Sequence, residues 1–173
     1  MKHDKSGLFQ TLDSDLYWAY CGPTALSAVT GADIADINEL VAELRIENGN
    51  PHGKSIDPTR IASTRIDELE IVLGWLGWKV DNKEILHEDR HGLMTTRNGS
   101  HVPMRVNVNP TLSRFEKEIM EPDITYLVVV KGHIVAVRNG HIADTVHRVP
   151  RPIRGSRWVR HRVDHYFEVS PIG

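Results

Sequence analysis

Thr125-Tyr126-Leu127-Val128-Val129-Val130-Lys131-Gly132-His133-Ile134-Val135-Ala136-Val137-Arg138-Asn139-Gly140-His141-Ile142-Ala143-Asp144 is the stretch that decides the fold. Thr125–Val130 is a β-branched and aromatic run, the composition of a strand. Gly132 interrupts it, and His133–Val137 reads as a second strand. Arg138-Asn139-Gly140 is a tight turn, because Asn-Gly between apolar runs accepts the positive φ angles of a two-residue hairpin. His141–Asp144 then starts a third strand, folded back along the second.

Downstream, residues 148–162 are rich in arginine and contain Pro150 and Pro152, and Val163–Val169 reads as a last strand. Upstream the pattern changes to helical spacing. Cys21 to about Thr30 reads as a helix with Pro23 in its first turn, where a missing N–H costs nothing, and with Gly31 ending it. Ile34, Ile37, Leu40, Val41 and Leu44 predict a helix over about 35–48, stopped by Gly49. Ala62, Ile66, Leu69, Val72, Leu73 and Leu76 predict a long helix over about 58–76. A short strand is expected near Trp78–Val80, a weak helix near Asn82–His91, a loop at Thr96–Ser100 and a short helix carrying Leu112, Phe115 and Ile119. Residues 1–20 look irregular. Helices first and an antiparallel sheet second make the class α+β, in a single domain spanning 1–173.

Composition narrows the function. Hydrophobic residues make up 40% and charged residues 25% of the 173, which suits a soluble globular domain with a real core. Twenty-one Lys and Arg against 23 Asp and Glu give a formal charge of −2, no global pull toward nucleic acid or membrane. No apolar run approaches the roughly 18 residues of a membrane span, and the charged start Met1-Lys2-His3-Asp4-Lys5 is unlike a secretory signal. A cytoplasmic protein is expected. The one cysteine excludes an internal disulfide and a cysteine-rich zinc site.

That cysteine stands where chemistry wants it. Unpaired N–H groups and the dipole at a helix start favour a thiolate. A nearby imidazole can take the proton. His133, at the start of a central strand after Gly132, is the candidate base, and Asp144, on the neighbouring strand and within about one residue of facing it, the candidate orienting acid. The N–H of Cys21 is a candidate oxyanion donor. No cofactor is needed. Taken alone, each residue also has a plainer reading: an inert buried thiol, a structural histidine, a turn-capping acid. His141 competes with His133 but follows the hairpin glycine, as an exposed turn residue would.

Cys21-Gly22-Pro23-Thr24-Ala25-Leu26, Gly132-His133-Ile134-Val135-Ala136-Val137 and Gly140-His141-Ile142-Ala143-Asp144-Thr145, in that order, resemble the papain-like cysteine peptidase superfamily. The likeness is to its compact branch of bacteriocin-leader-processing peptidases and related phage-encoded proteins, and it covers about residues 10–145. It implies a papain-like domain, with a helical layer on an antiparallel sheet. It also implies a peptidase or isopeptidase acting on a peptide or protein substrate through Cys21, His133 and Asp144. A phage protein would work in the host cytoplasm. The family's oxyanion glutamine sits about six residues before the cysteine. Here that place is Asp15, and Gln10, eleven residues upstream, is the candidate instead.

Two further patterns call for a reading. His87-Glu88-Asp89-Arg90-His91 matches the HExxH zinc pattern, in which two histidines one helical turn apart bind metal. The charged interior positions and Gly92 argue against a buried metal helix, so zinc hydrolysis ranks last. Arg151, Arg154, Arg157 and Arg160, flanked by Arg148 and Arg162, form a basic stretch. It reads as a solvated loop or hairpin arm, or as a contact for an acidic protein or nucleic acid, with Trp158 and Tyr166 as stacking candidates. The alternative to an enzyme is therefore a non-catalytic binding or inhibitory protein on the same fold, using that basic arm.

Overall fold

The computed structural model describes residues 6–11, 20–86, 89–146 and 149–173, with the backbone alone for 89–94 and 104–107. The described chain is α+β. Its helices are α1 (Cys21–Thr30), α2 (Ile34–Glu47), α3 (Ile66–Trp75) and α4 (Leu112–Glu118). Its strands are β1 (Trp78–Ile85), β2 (Asp89–Thr95), β3 (His101–Asn107), β4 (Thr125–Val130), β5 (His133–Arg138), β6 (His141–Ala143), β7 (Arg151–Pro152) and β8 (Val163–Pro171). Six strands form one antiparallel sheet in the order β1-β8-β4-β5-β6-β7, and β2 pairs with β3 in a separate hairpin.

Two tight turns set the register at the sheet's centre. Lys131 and Gly132, at φ 49° and 74°, join β4 to β5 with Val130 opposite His133. Asn139 and Gly140, at φ 48° and 73°, join β5 to β6 with Arg138 opposite His141. Both central residues of each turn are left-handed, the geometry whose twist matches a hairpin.

The sheet is covered on both faces, which is why β4 is buried along its whole length. Leu127, Val129, Ile134, Ala136, Ala143, Phe167 and Val169 pack against α1, α2 and α3. Tyr126, Val128, Val130, Val135, Val137, Ile142 and Tyr166 pack the other way, against Leu112 and Phe115 of α4 and against Ile153 and Trp158. Phe115, Tyr126 and Tyr166 meet edge to face, with ring centroids 5.0–5.9 Å apart.

Three expectations are corrected. The long helix over 58–76 is instead a 3-10 turn at Pro58–Arg60, capped by the Asp57 carboxylate on the Thr59 N–H (2.9 Å), followed by irregular chain and then α3. Ser63 at φ 52° breaks any continuity, and Glu68 reaches back to the Arg65 N–H (2.7 Å) to start α3 afresh. The helix expected near 82–91 is replaced by strand at 82–85 and 89–91: β1 continues to Ile85 because β8 pairs with it as far as His165, and β2 begins at Asp89. Residues 151–162 do not project as an arm. Ile153 (0% exposed), Ser156 and Trp158 (4%) are buried, so the segment lies folded over the second face.

Candidate active site

Cys21 is the first residue of α1. The Tyr20 carbonyl closes the opening turn by accepting from the Thr24 N–H (3.0 Å) and the Thr24 hydroxyl (2.8 Å). The N-cap residue Tyr20 makes no side-chain cap, and the N–H groups of Cys21 and Gly22 have no partner within the helix. The thiol is half-buried against the first core. Gly22 lets this turn press against the loop before α3. A Cβ there would stand 2.0 Å from Thr64 Oγ1 and 3.2 Å from Leu69 Cδ2.

His133 opens β5. Strand alternation aligns it with Val135 and Val137, on the face away from α1, and its ring lies on Trp158 with centroids 4.9 Å apart. Asp144 follows β6 and is 2% exposed. Its Oδ1 accepts from the Val146 N–H (2.9 Å), and its Oδ2 accepts from the Trp158 indole N–H. Extending the β5–β6 register sets Asp144 opposite Val135, one step off the alignment expected from sequence. His133 and Asp144 thus meet through Trp158: the carboxylate holds the indole, and the indole carries the imidazole. Among the described residues, no hydrogen bond joins Cys21 to His133 or His133 to Asp144.

The thiol and the imidazole nevertheless lie toward the same end of the sheet. Residues 6–9 connect the C-terminal end of β5, through Asn139 and Arg138, to the C-terminal half of α1, where the Phe9 N–H donates to the Ala28 carbonyl (2.8 Å). The opening residues of α1 and β5 therefore fall at the opposite end. A groove of about 560 Å³ lies there. Thr64 and Leu69, the two residues that touch Gly22, line one wall, and Gly132 and Ile134, which flank His133, line the other.

Gln10 does not fit the oxyanion role. It is exposed and follows the residue tied to Ala28, about 10 Å along α1 from Cys21 by helical rise. Asp15 lies outside the described residues. So do His87 and Glu88 of the zinc pattern, while His91 sits in β2, a strand rather than a helix. Among the described residues no cluster of His, Cys, Asp and Glu could hold a metal ion, and no helix is long and apolar enough to cross a membrane. Arg154, Arg157 and Arg160 are exposed and Arg151 is partly so; Arg148 lies outside the described residues. Arg157 covers the Trp158 ring at 4.4 Å, and Trp158 and Tyr166 are buried, so neither aromatic offers a face for a base to stack on.

One supporting pair escaped the sequence reading. Arg45, 3% exposed, donates to both oxygens of Glu68 (2.8 and 3.1 Å), to the Ser55 carbonyl (2.6 Å) and to the Ala62 carbonyl (3.2 Å). It ties α2 to α3 and to the loop that carries Thr64. Burial works to raise the Glu68 pKa, but the Arg45 guanidinium and the Arg65 N–H outweigh it and hold the carboxyl below its usual 4.5. The only hint in the sequence was an arginine on the apolar side of α2, next to Leu44.

Compared with known proteins, the chain matches no family model, no curated protein and no solved structure.

Proposed function

We propose that this chain is a papain-like cysteine hydrolase that cleaves peptide or isopeptide bonds. One observation carries the reading: a half-buried thiol at the start of α1 and a histidine at the start of β5 fall at the same end of the sheet, each next to residues that line the groove. In the reaction the His133 imidazole takes the Cys21 proton, and Sγ attacks the substrate carbonyl carbon. The Cys21 N–H donates to the oxyanion. His133 then protonates the leaving amine as the C–N bond breaks. Water, deprotonated by His133, displaces Sγ and releases the acid. To take the Cys21 proton the imidazole has to leave its place beside Trp158, and Asp144, which holds the Trp158 indole, positions only the resting ring. Gln10 has no part in this scheme.

The test is acylation by an activated ester. With p-nitrophenyl acetate, mass spectrometry should find acetyl on Cys21 that turns over, and His133→Ala should lose both acylation and turnover. Equal acetylation of the two proteins, without turnover, counts against the scheme.

A second reading is favoured by the missing hydrogen bond between Cys21 and His133 and by the exposed Arg154, Arg157 and Arg160. On that reading the chain binds an acidic protein or nucleic acid and performs no chemistry. Salt-sensitive retention on an acidic matrix, lost on changing these three arginines to glutamine, together with an unreactive Cys21, would support it.

A further inference from the structure

The groove contains a polar group that the hydrolase scheme leaves unused. Strand register sets Ile85 of β1, His165 of β8, Val129 of β4 and Ile134 of β5 in one row across the sheet. Four strands at about 4.8 Å spacing make that row about 14 Å long. Ile66, Asp67 and Leu69 of α3, with Thr64 and Arg65, face it. His165 is the polar member of an otherwise apolar floor. Its Nδ1 is buried and has no hydrogen-bond partner in the structure. A buried nitrogen without a partner is tolerated better as a lone pair than as an N–H, so the proton belongs on Nε2. Nε2 is not buried, and it meets the groove as a donor.

A carboxylate is the strongest acceptor for that donor, because a hydrogen bond to an ionised oxygen is charge-assisted. Lys83 and Arg65 also line the groove. Asp67 is the carboxylate among the lining residues, and Arg65 already engages it at 2.8 and 3.1 Å. Lys83 is paired with Glu70 at 2.6 Å, outside the groove lining.

We propose that the groove holds an extended peptide whose acidic side chain accepts a hydrogen bond from His165 Nε2, with apolar side chains lying on Ile85, Val129 and Ile134. His165 stands two strands from β5, about 10 Å from the row's end beside His133. At about 3.3 Å per residue, the acidic residue sits about three positions from the bond to be cut. This inference rests on the hydrolase reading for that register alone; the binding preference stands without it.

The probes are acetyl-Glu-Leu-Val-Gly-amide and the same peptide with Gln in place of Glu, titrated by NMR into the Cys21→Ser protein at low salt. The Glu peptide should bind about tenfold more tightly, as a charge-assisted hydrogen bond allows. In a Cys21→Ser, His165→Ala protein the two peptides should bind equally. With His165 intact, the Glu peptide and not the Gln peptide should shift the His165 Cε1–H signal, which needs no further variant to fold. A preference that survives His165→Ala, an unmoved His165 signal, or no saturable binding of either peptide overturns the proposal. If the hydrolase reading alone is wrong, the Glu preference persists while Cys21 stays unacylated. If the groove proposal alone is wrong, acylation depends on His133 and neither peptide is favoured.

Discussion

Replacing Gly22 with alanine should weaken the molecule at the thiol's own turn. The new Cβ would stand 2.0 Å from Thr64 Oγ1, 3.0 Å from Thr64 Cβ and 3.2 Å from Leu69 Cδ2. An ordinary contact lies near 3.5–4 Å, so the Thr64 hydroxyl must swing aside and the turn and the loop must still part by roughly 0.5 Å. The loop has little room to give, because Ser63 is already left-handed and Ala62 is held by Arg45. Overpacking of this kind costs about 1–3 kcal/mol, and the better helix propensity of alanine returns less than about 1 kcal/mol. A net loss of about 1–2 kcal/mol lowers the melting temperature of a chain of this size by roughly 2–8 °C. Urea denaturation of the wild type, Gly22→Ala, Thr64→Ala and the double variant forms the assay. Thr64→Ala removes the atom at 2.0 Å, so the Gly22→Ala penalty should fall by more than half in its presence. A Gly22→Ala protein as stable as the wild type, or a penalty indifferent to Thr64, would refute the contact.

Glu68→Gln should cost about 3 kcal/mol near neutrality, because it leaves the Arg45 guanidinium buried without its carboxylate. Since folding lowers the Glu68 pKa below 4.5, the pair's contribution is complete above 4.5 and is lost as pH falls through the folded value. Stability curves measured from pH 7 to pH 3 should therefore fall less steeply in the variant. Trp158→Phe keeps a ring under His133 but removes one of the donors to the Asp144 carboxylate, so chemical denaturation should show a loss of about 2 kcal/mol. Arg154→Glu and Arg160→Glu, on exposed side chains, should leave the melting temperature unchanged within about 0.5 kcal/mol of stability.

The elements that were legible in the sequence are those fixed by local rules. The Asn139-Gly140 turn admits one hairpin geometry, and β4, β5 and β6 follow from it. Helix α1 starts at Cys21 and ends at a left-handed Gly31, and both signals are local. What failed was decided at long range. Nothing near residues 82–85 announces that β8 will pair with them. The gap between the Pro58–Arg60 turn and α3 depends on Arg45, far back on α2. The arginines at 151–162 concealed a core, because Ile153, Ser156 and Trp158 are buried at no regular period. In the candidate site, the local elements that carry Cys21, His133 and Asp144 were readable, whereas the packing of Trp158 against both His133 and Asp144 was decided at long range.

Alkylation of Cys21 by iodoacetamide, followed from pH 5 to pH 10, tests the catalytic reading most directly. An ion pair with His133 predicts rapid labelling already at neutral pH, and His133→Ala should slow it to the rate of an unactivated thiol. Identical profiles for the two proteins would contradict it.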